Sequence, residues 1–450
     1  MSSENLSINV HHVTRIEGHG DIEVNMKKGT IEKCSWNVVE APRFFEAFLQ
    51  GRPYLEVNHI TSRICGICSI GHQMASLKAT EAAMGIAISE QTRLLRKLLL
   101  HGENLQSHVL HTYFLVAPDF FGVGSVFPLV KTHKDVVVRA LSLKKLANDL
   151  CDVVGGRTVH PIRCKVGGFT CLPKLSELEQ TRARLEAARP EIDKTVDLFA
   201  TLKIPAFERE TEYVAIFSKT EYPLYEGELC SSDAGTFKDG EYLKVTNEYI
   251  VPQSTAKYTR HKRESFMVGA LARFNINHAM LHPKAKKAAA ALGLKAPCHN
   301  PFMISVAQVV EIVDSLENAI ALIDAILAKG LREERLEITP RAGRGVGIVE
   351  VPRGILFHDY TYNEQGEIVS ANCIIPTNQN HGNIQKDMEK LLPLLLDKSR
   401  DDIRLNLEML VRAYDPCISC STHYLDVSFI ESGCTLLPGQ GNKPASEPTQ

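Results

Sequence analysis

The sequence predicts a mostly α chain with small β-sheets, an α+β fold whose long central helix bundle brings the two ends of the chain together. Three observations predict it. Apolar residues recur at helical spacing over long stretches, strand-like alternation is confined to short runs, and two Cys-x-x-Cys pairs, Cys65/Cys68 and Cys417/Cys420, stand near opposite ends. In the first forty residues Ile8, Val10 and His12 share one face of a run, and Ile22, Val24 and Met26 share one face of a second. Lys28-Gly29 then turns the chain into residues 31–39, giving a small antiparallel sheet. Met74, Leu77 and Met84, then Leu94, Leu95, Leu98, Leu105 and Val109, mark two helices that break around residues 85–89. Ser176 with Glu179 reads as a capping-box start of a further helix, in which Pro190 marks a break or restart. Between residues 205 and 301 the pattern is faint, with 213–217 and 242–245 reading as short strands. Residues 304–327 form a long amphipathic helix stopped by Lys329-Gly330. Residues 346–351, 355–361 and 368–375 read as strands, with a hairpin turn at 363–366. Helices at 383–396 and 400–414 deliver the chain to the second cysteine pair, and the end is a low-complexity tail with no core of its own.

Composition excludes several classes. Hydrophobic content of 44% and charged content of 23% are ordinary for a globular protein, and 450 residues supply a large core. A net charge of −2 gives no electrostatic footprint for nucleic acid or an anionic membrane. The longest apolar stretch is interrupted by Gln308, Glu311, Asp314 and Glu317, which argues against a membrane span. The first residues have neither a basic nor an apolar segment of a secretory signal, although a partner subunit can carry one for both. Twelve cysteines are too few for a disulfide scaffold, and eight of them stand singly, so a reducing, cytoplasmic setting fits.

The paired cysteines carry the chemistry. Four thiolates select zinc, copper(I), an iron–sulfur cluster, or nickel and iron. Two pairs are the usual structural zinc arrangement. Zinc pairs are normally separated by a short loop, though, because the metal staples a small domain, and a chain of this length has no such need. Both pairs also stand among charged and hydrogen-bonding residues, Arg63 and His72 around the first, Asp415 and His423 around the second.

At these residues the chain resembles a known family. RICGICSIGH (63–72) and DPCISCSTH (415–423) are similar to the two signature motifs of nickel–iron hydrogenase large subunits. TRIEGH (14–19), GGRTVHP (155–161), EVPRG (350–354) and IPT (375–377) resemble four further boxes of that family, in the same order. The related protein of respiratory complex I shares the fold but lacks the four cysteines, so the resemblance is to the hydrogenases, most of all their cytoplasmic multi-subunit type. Residues 1–423 then form a single large-subunit domain, and 424–450 a tail removed in maturation.

The resemblance implies nickel held by Cys65, Cys68, Cys417 and Cys420, with Cys68 and Cys420 bridging to an iron that carries carbon monoxide and cyanide. It implies reversible heterolytic cleavage of dihydrogen, with Cys417 as the base and Glu17 as the next proton relay. Arg353 resembles an arginine suspended over the open metal position, and Asp119 the aspartate paired with it, Asp415 being a further candidate. Thr377 would hydrogen-bond a cyanide ligand, and His72 would donate to a bridging thiolate. Glu46 and His423 would bind magnesium or a second iron. The implied partners are an iron–sulfur small subunit, further electron-transfer subunits serving a nicotinamide, ferredoxin or disulfide acceptor, and a maturation protease cutting between His423 and Tyr424. Relatives usually carry a small or aliphatic residue at the cut, so Tyr424 is a departure. The tail's charges resist burial, so an attached tail is expected to hold the C-terminal motif away from the site. A hydrogen-sensing or inactive hydrogenase-like protein, and a structural zinc protein with four cysteine ligands, are the competing readings.

Overall fold

The computed structural model describes residues 5–422. At the N-terminus β1 (Asn5–Val10), β2 (Gly20–Lys27) and β3 (Thr30–Val38) form an antiparallel meander, with Ile8, Ile22, Val24 and Met26 buried beneath it. The β2–β3 turn needs left-handed backbone, which Lys28 and Gly29 supply at φ 50° and 77°. His12 is not on the strand face as expected. The strand ends at Val10, and His12 turns outward with its N–H on Asp21 Oδ1 at 2.8 Å.

Two short helices (Phe45–Leu49 and Tyr54–Thr61) lead into the first cysteine pair, and helix α1 (Ser69–Met84) leaves from it. Gly85, at φ 65°, ends α1, and the Ser89 hydroxyl accepts the Thr92 N–H at 3.0 Å to begin α2 (Glu90–Leu110), matching the expected break. A single π-turn (His111–Val116) follows α2. Helix α3 (Lys134–Gly155) packs against α2 and against α4 (Leu175–Ala200). Helix α4 starts just before the expected Ser176, where Glu177 accepts the Lys174 N–H, and it runs unbroken through Pro190.

The faint middle contains a four-stranded sheet built on β4 (Glu212–Phe217), β5 (Glu228–Ser231), β6 (Gly235–Phe237) and β7 (Phe266–Met267), in the order β7-β4-β5-β6. The strand expected at 242–245 is instead a 3₁₀ turn (Asp239–Lys244), whose Tyr242 is buried and donates its hydroxyl to Asp359 at 2.8 Å. That tertiary bond overrides the local preference for extended chain.

Helix α5 (Ile304–Lys329) is the centre of the bundle, packed on α2 and α4. Its sequence predicts a solvent face, yet Gln308, Glu311, Asp314 and Ser315 are all buried. Their partners lie inside the protein. Arg273 grips Glu311 with two bonds of 2.7 Å, and Tyr222 and His108 add bonds of 2.6 Å. Strands β8 (Gly343–Val351), β9 (Gly354–Tyr362) and β10 (Ile368–Ile374) form the expected meander. Gly343, Gly345 and Gly347 let β8 lie directly on α1, since a Cβ at Gly347 would stand 2.0 Å from the Ala75 carbonyl oxygen. Helix α6 (Pro376–Leu391) begins seven residues before the expected 383, because Pro376 is well placed in a first helical turn. Helix α7 (Arg400–Ala413), capped by Ser399, then carries the chain back to the second cysteine pair. No helix among the described residues is long and apolar enough to cross a membrane.

Candidate metal centre

The two cysteine pairs meet in the interior. The sulfurs of Cys65, Cys68, Cys417 and Cys420 all lie within 4.8 Å of one another and all four residues are buried. Cys65 and Cys417 approach to 3.6 Å. Cys65 is extended and Cys68 sits at the N-terminus of α1, so the loop curls round its own sulfur. Cys65 Sγ accepts the N–H groups of Ile67 and Cys68 at 3.3 and 2.9 Å. Cys417 precedes a one-turn helix (Ile418–Ser421), and its N–H is held by the Thr377 hydroxyl at 3.1 Å.

A dry pocket of four thiols does not carry four charges. Burial pushes the Cys65 thiol up, but hydrogen bonds from Cys417, Cys420 and Cys68 outweigh it and hold Cys65 well below the usual range. Cys417, hydrogen-bonded to Cys420, Cys65 and Cys68, is correspondingly pushed well above it. Binding a cation here therefore expels protons. Four sulfur donors with no hard oxygen among them suit nickel and iron.

Residues 14–43 fasten the C-terminal half of the centre. The Glu17 carbonyl accepts the Ile418 N–H at 2.9 Å and its carboxylate the Ser419 N–H at 3.0 Å. Glu40 takes the Ser419 hydroxyl at 2.8 Å. From the other side Asn378 donates to the Ser421 carbonyl at 3.0 Å. Trp36 donates to His381 Nδ1 at 3.0 Å, and His381 Nε2 meets the Ser421 hydroxyl at 3.1 Å. Burial lowers His381 to about 3, so the ring is neutral and its Nε2–H donates. The tail expected to hold this motif away from the site lies outside the described residues. Cys417 and Cys420 are seated in the interior, with the Cys417, Ile418 and Ser419 N–H groups all partnered.

Arg353 is buried within electrostatic reach of the thiols, between Pro352 and Gly354. Its Nε donates to the Asp415 carbonyl at 2.6 Å, one terminal nitrogen to the Asp415 carboxylate at 2.6 Å, and the other to Ser107 at 3.4 Å. Burial opposes its charge, but Asp415 first and then the nearby sulfurs of Cys417, Cys68 and Cys65 favour it and keep it protonated. Asp415 itself adopts φ 52° to make this contact. The expected pairing of Arg353 with Asp119 is a correction. Asp119 is held by Arg15 and by two bonds from Arg412, at 2.8 and 3.0 Å, which occupy both of its oxygens.

The remaining candidates are placed as follows. His72 Nδ1 meets His358 Nε2 at 3.0 Å, and His358 Nδ1 meets the Tyr360 hydroxyl at 2.5 Å, so His72 is fixed beside Cys65. Glu46 accepts the Cys373 N–H at 2.7 Å. Its expected companion His423 lies outside the described residues, as do Tyr424 and the tail. Sequence reasoning missed Arg43, Glu40, His381 and Glu103. Glu103 is buried and accepts the Ile70 and Gly71 N–H groups at 2.8 and 3.0 Å, steadying the start of α1. Burial and the nearby Cys65 push its carboxyl well above the usual range. Only Arg43 and Glu40 carried a signal, as charges in a segment that also holds Glu46.

Fold and donor set together define a hydrogenase large subunit, and comparison with known proteins agrees. A family model described as nickel-dependent hydrogenase matches residues 43–135 and 252–423, and one described as HoxL-like matches residues 7–41. The alpha chain of sulfhydrogenase 1 from Pyrococcus furiosus is 35% identical over 420 residues, covering 93% of this chain and 98% of the relative. One chain of the F420-non-reducing hydrogenase of Methanothermobacter marburgensis is 32% identical over 457 residues, covering 94% and 95%. Among solved structures, an NAD+-reducing [NiFe]-hydrogenase in its H2-reduced state superposes with a TM-score of 0.81 at 25% identity, covering 93% of this chain and 99% of that one. The chain belongs to the nickel-dependent hydrogenase family. It is the catalytic subunit of a nickel–iron hydrogenase, an oxidoreductase that activates dihydrogen with nickel and iron.

Proposed function

We propose that Cys65, Cys68, Cys417 and Cys420 hold the nickel, with Cys68 and Cys420 shared with an iron carrying carbon monoxide and cyanide. The observation that carries this reading is the buried cluster of four sulfurs with a charged guanidinium nearby. When bound, the metals supply a Lewis-acidic site at which dihydrogen splits heterolytically. The protein does the rest. Cys417 Sγ takes the proton, and Glu17 is the next acceptor, its carboxylate anchored on the Ser419 N–H. Arg353 orients and polarises the substrate from a position that Asp415 fixes. Thr377 is the hydrogen-bonding partner of a cyanide, and His72, held by His358, donates to a bridging thiolate. Glu46 with His423 binds magnesium or a second iron.

Electrons leave through a partner. Among the described residues no second group of three or more metal ligands gathers, so an iron–sulfur small subunit docks near the metals. Further subunits pass the electrons to a nicotinamide, ferredoxin or disulfide acceptor in the cytoplasm, and a protease removes residues 424–450. The infrared spectrum of the purified complex tests the site. Stretching bands of carbon monoxide and cyanide support the reading, and a nickel-loaded, fully active complex without them refutes the iron assignment. Glu17→Gln tests the relay. Exchange of D2 with water should fall at least tenfold while para-to-ortho hydrogen conversion, which needs no solvent proton, continues. Unchanged exchange removes Glu17 from the path.

A further inference from the structure

We propose that Arg43 is a positioning residue that sets the register between the two cysteine pairs before any metal arrives. The inference rests on the four cysteines being the metal site. Ile64 immediately precedes Cys65, and Ser419 immediately precedes Cys420. One guanidinium donates to both of their carbonyl groups. Arg43 Nε reaches the Ser419 oxygen at 3.0 Å, and one terminal nitrogen is shared between that oxygen and the Ile64 oxygen, the latter at 2.6 Å. The Arg43 backbone N–H adds a bond to the Thr422 carbonyl at 2.5 Å. Its guanidinium carbon stands 5.2 Å from the centre of the Phe45 ring, which helps fix the plane of the fork. Ser419 lies 376 residues from Arg43 in sequence, so this one side chain ties together segments with no local reason to meet.

The geometry calls for arginine. Both carbonyls accept from a planar fork, and a lysine ammonium at the end of a flexible stem does not reproduce that fixed pair of directions. The fork also places a permanent positive charge beside a pocket that must accumulate thiolate charge as metals load. Apart from the thiols themselves, where Cys65 meets Cys417 and Cys420 meets the Ile64 carbonyl, each at 3.6 Å, the other contacts hold one half of the centre at a time. Glu17, Glu40, Asn378 and His381 touch only the C-terminal half, and Glu103 only the start of α1. Among the described hydrogen bonds, the Arg43 side chain is the one that joins Ile64 to Ser419.

The test is cysteine accessibility in the metal-free, full-length chain, read residue by residue by mass spectrometry after timed iodoacetamide labelling. Cys151 and Cys164 are buried elsewhere in the core and report global unfolding. In Arg43→Lys, Cys417 and Cys420 should label roughly tenfold or more faster than in the wild type, since hydrogen bonds from a charged donor are lost. Cys151 and Cys164 should stay protected. Arg43→Ala should show the same selective exposure, and nickel content after maturation should fall in both variants. Wild-type protection of Cys417 and Cys420 in Arg43→Lys overturns the proposal. So does labelling of all six cysteines at one common rate, which marks a role in general stability. Neither readout depends on hydrogen turnover, so a failure of the catalytic assignment is seen separately.

Discussion

Replacing Gly347 by alanine should damage the metal centre from a distance. Strand β8 lies on helix α1 through Gly343, Gly345 and Gly347, and α1 starts at the residue after Cys68. A Cβ at Gly347 would stand 2.0 Å from the Ala75 oxygen and 2.6 Å from the Ala79 nitrogen. Both atoms are backbone of a buried helix and have no rotamer by which to yield. The strand must therefore retreat by on the order of an ångström, a case of over-packing that costs about 1–3 kcal/mol and sometimes more. Arg353 follows the last residue of β8 by two positions, so the retreat also moves the guanidinium relative to Cys65 and Cys68. Thermal melting and nickel content of the purified protein measure the two consequences. A melting point lower by a few degrees and substoichiometric nickel are expected. Gly124→Ala and Gly240→Ala, where a Cβ meets nothing within 4 Å, are the controls and should melt with the wild type. A Gly347→Ala protein that melts and loads nickel like the wild type would refute the close-packing argument.

Four further outcomes are expected. Asp415→Asn tolerates the left-handed backbone at this position but strips the charge from a buried pair, so D2 exchange should fall more than tenfold with nickel retained. Asp119→Asn should instead lower the melting point and leave exchange nearly unchanged; the reverse ranking would mean that the two aspartates are wrongly assigned. Burial raises Asp314 from the ordinary 3.8 to about 7, so its contribution to stability is complete below about 4 and lost as pH rises through 7. The melting point of Asp314→Asn should accordingly fall less than that of the wild type between those limits, and parallel curves would contradict the shift. The intact mass of the active enzyme should correspond to a chain ending at His423, whereas an active, nickel-replete chain ending at Gln450 would show that the tail is kept.

The sequence made the periodic and the punctuated parts of this molecule legible. The α1–α2 break was readable because Gly85 and Ser89 are a helix stop and a helix start. The three C-terminal strands were readable because a hairpin turn separates two of them. The buried polar residues of α5 misled, since Glu311 and Asp314 spell a solvent face when Arg273 and the His282 N–H cannot be seen beside them. Tyr242 misled for a similar reason, its hydroxyl belonging to Asp359 far along the chain. At the centre the four cysteines announced themselves by spacing. The Arg353 partner did not, because Asp119 and Asp415 both stand in family-like motifs and only the fold shows that Arg15 and Arg412 occupy the former. Arg43 showed only as a charge near Glu46, and its role was hidden because its bonds are to main-chain carbonyls, which carry no residue identity.

Metal analysis combined with D2–water exchange, on the complex purified with its native partners, bears most directly on the catalytic assignment. One nickel per catalytic chain, with exchange that disappears together with the nickel in Cys417→Ser, is the result expected. Stoichiometric zinc without exchange, or undiminished exchange in Cys417→Ser, would contradict it.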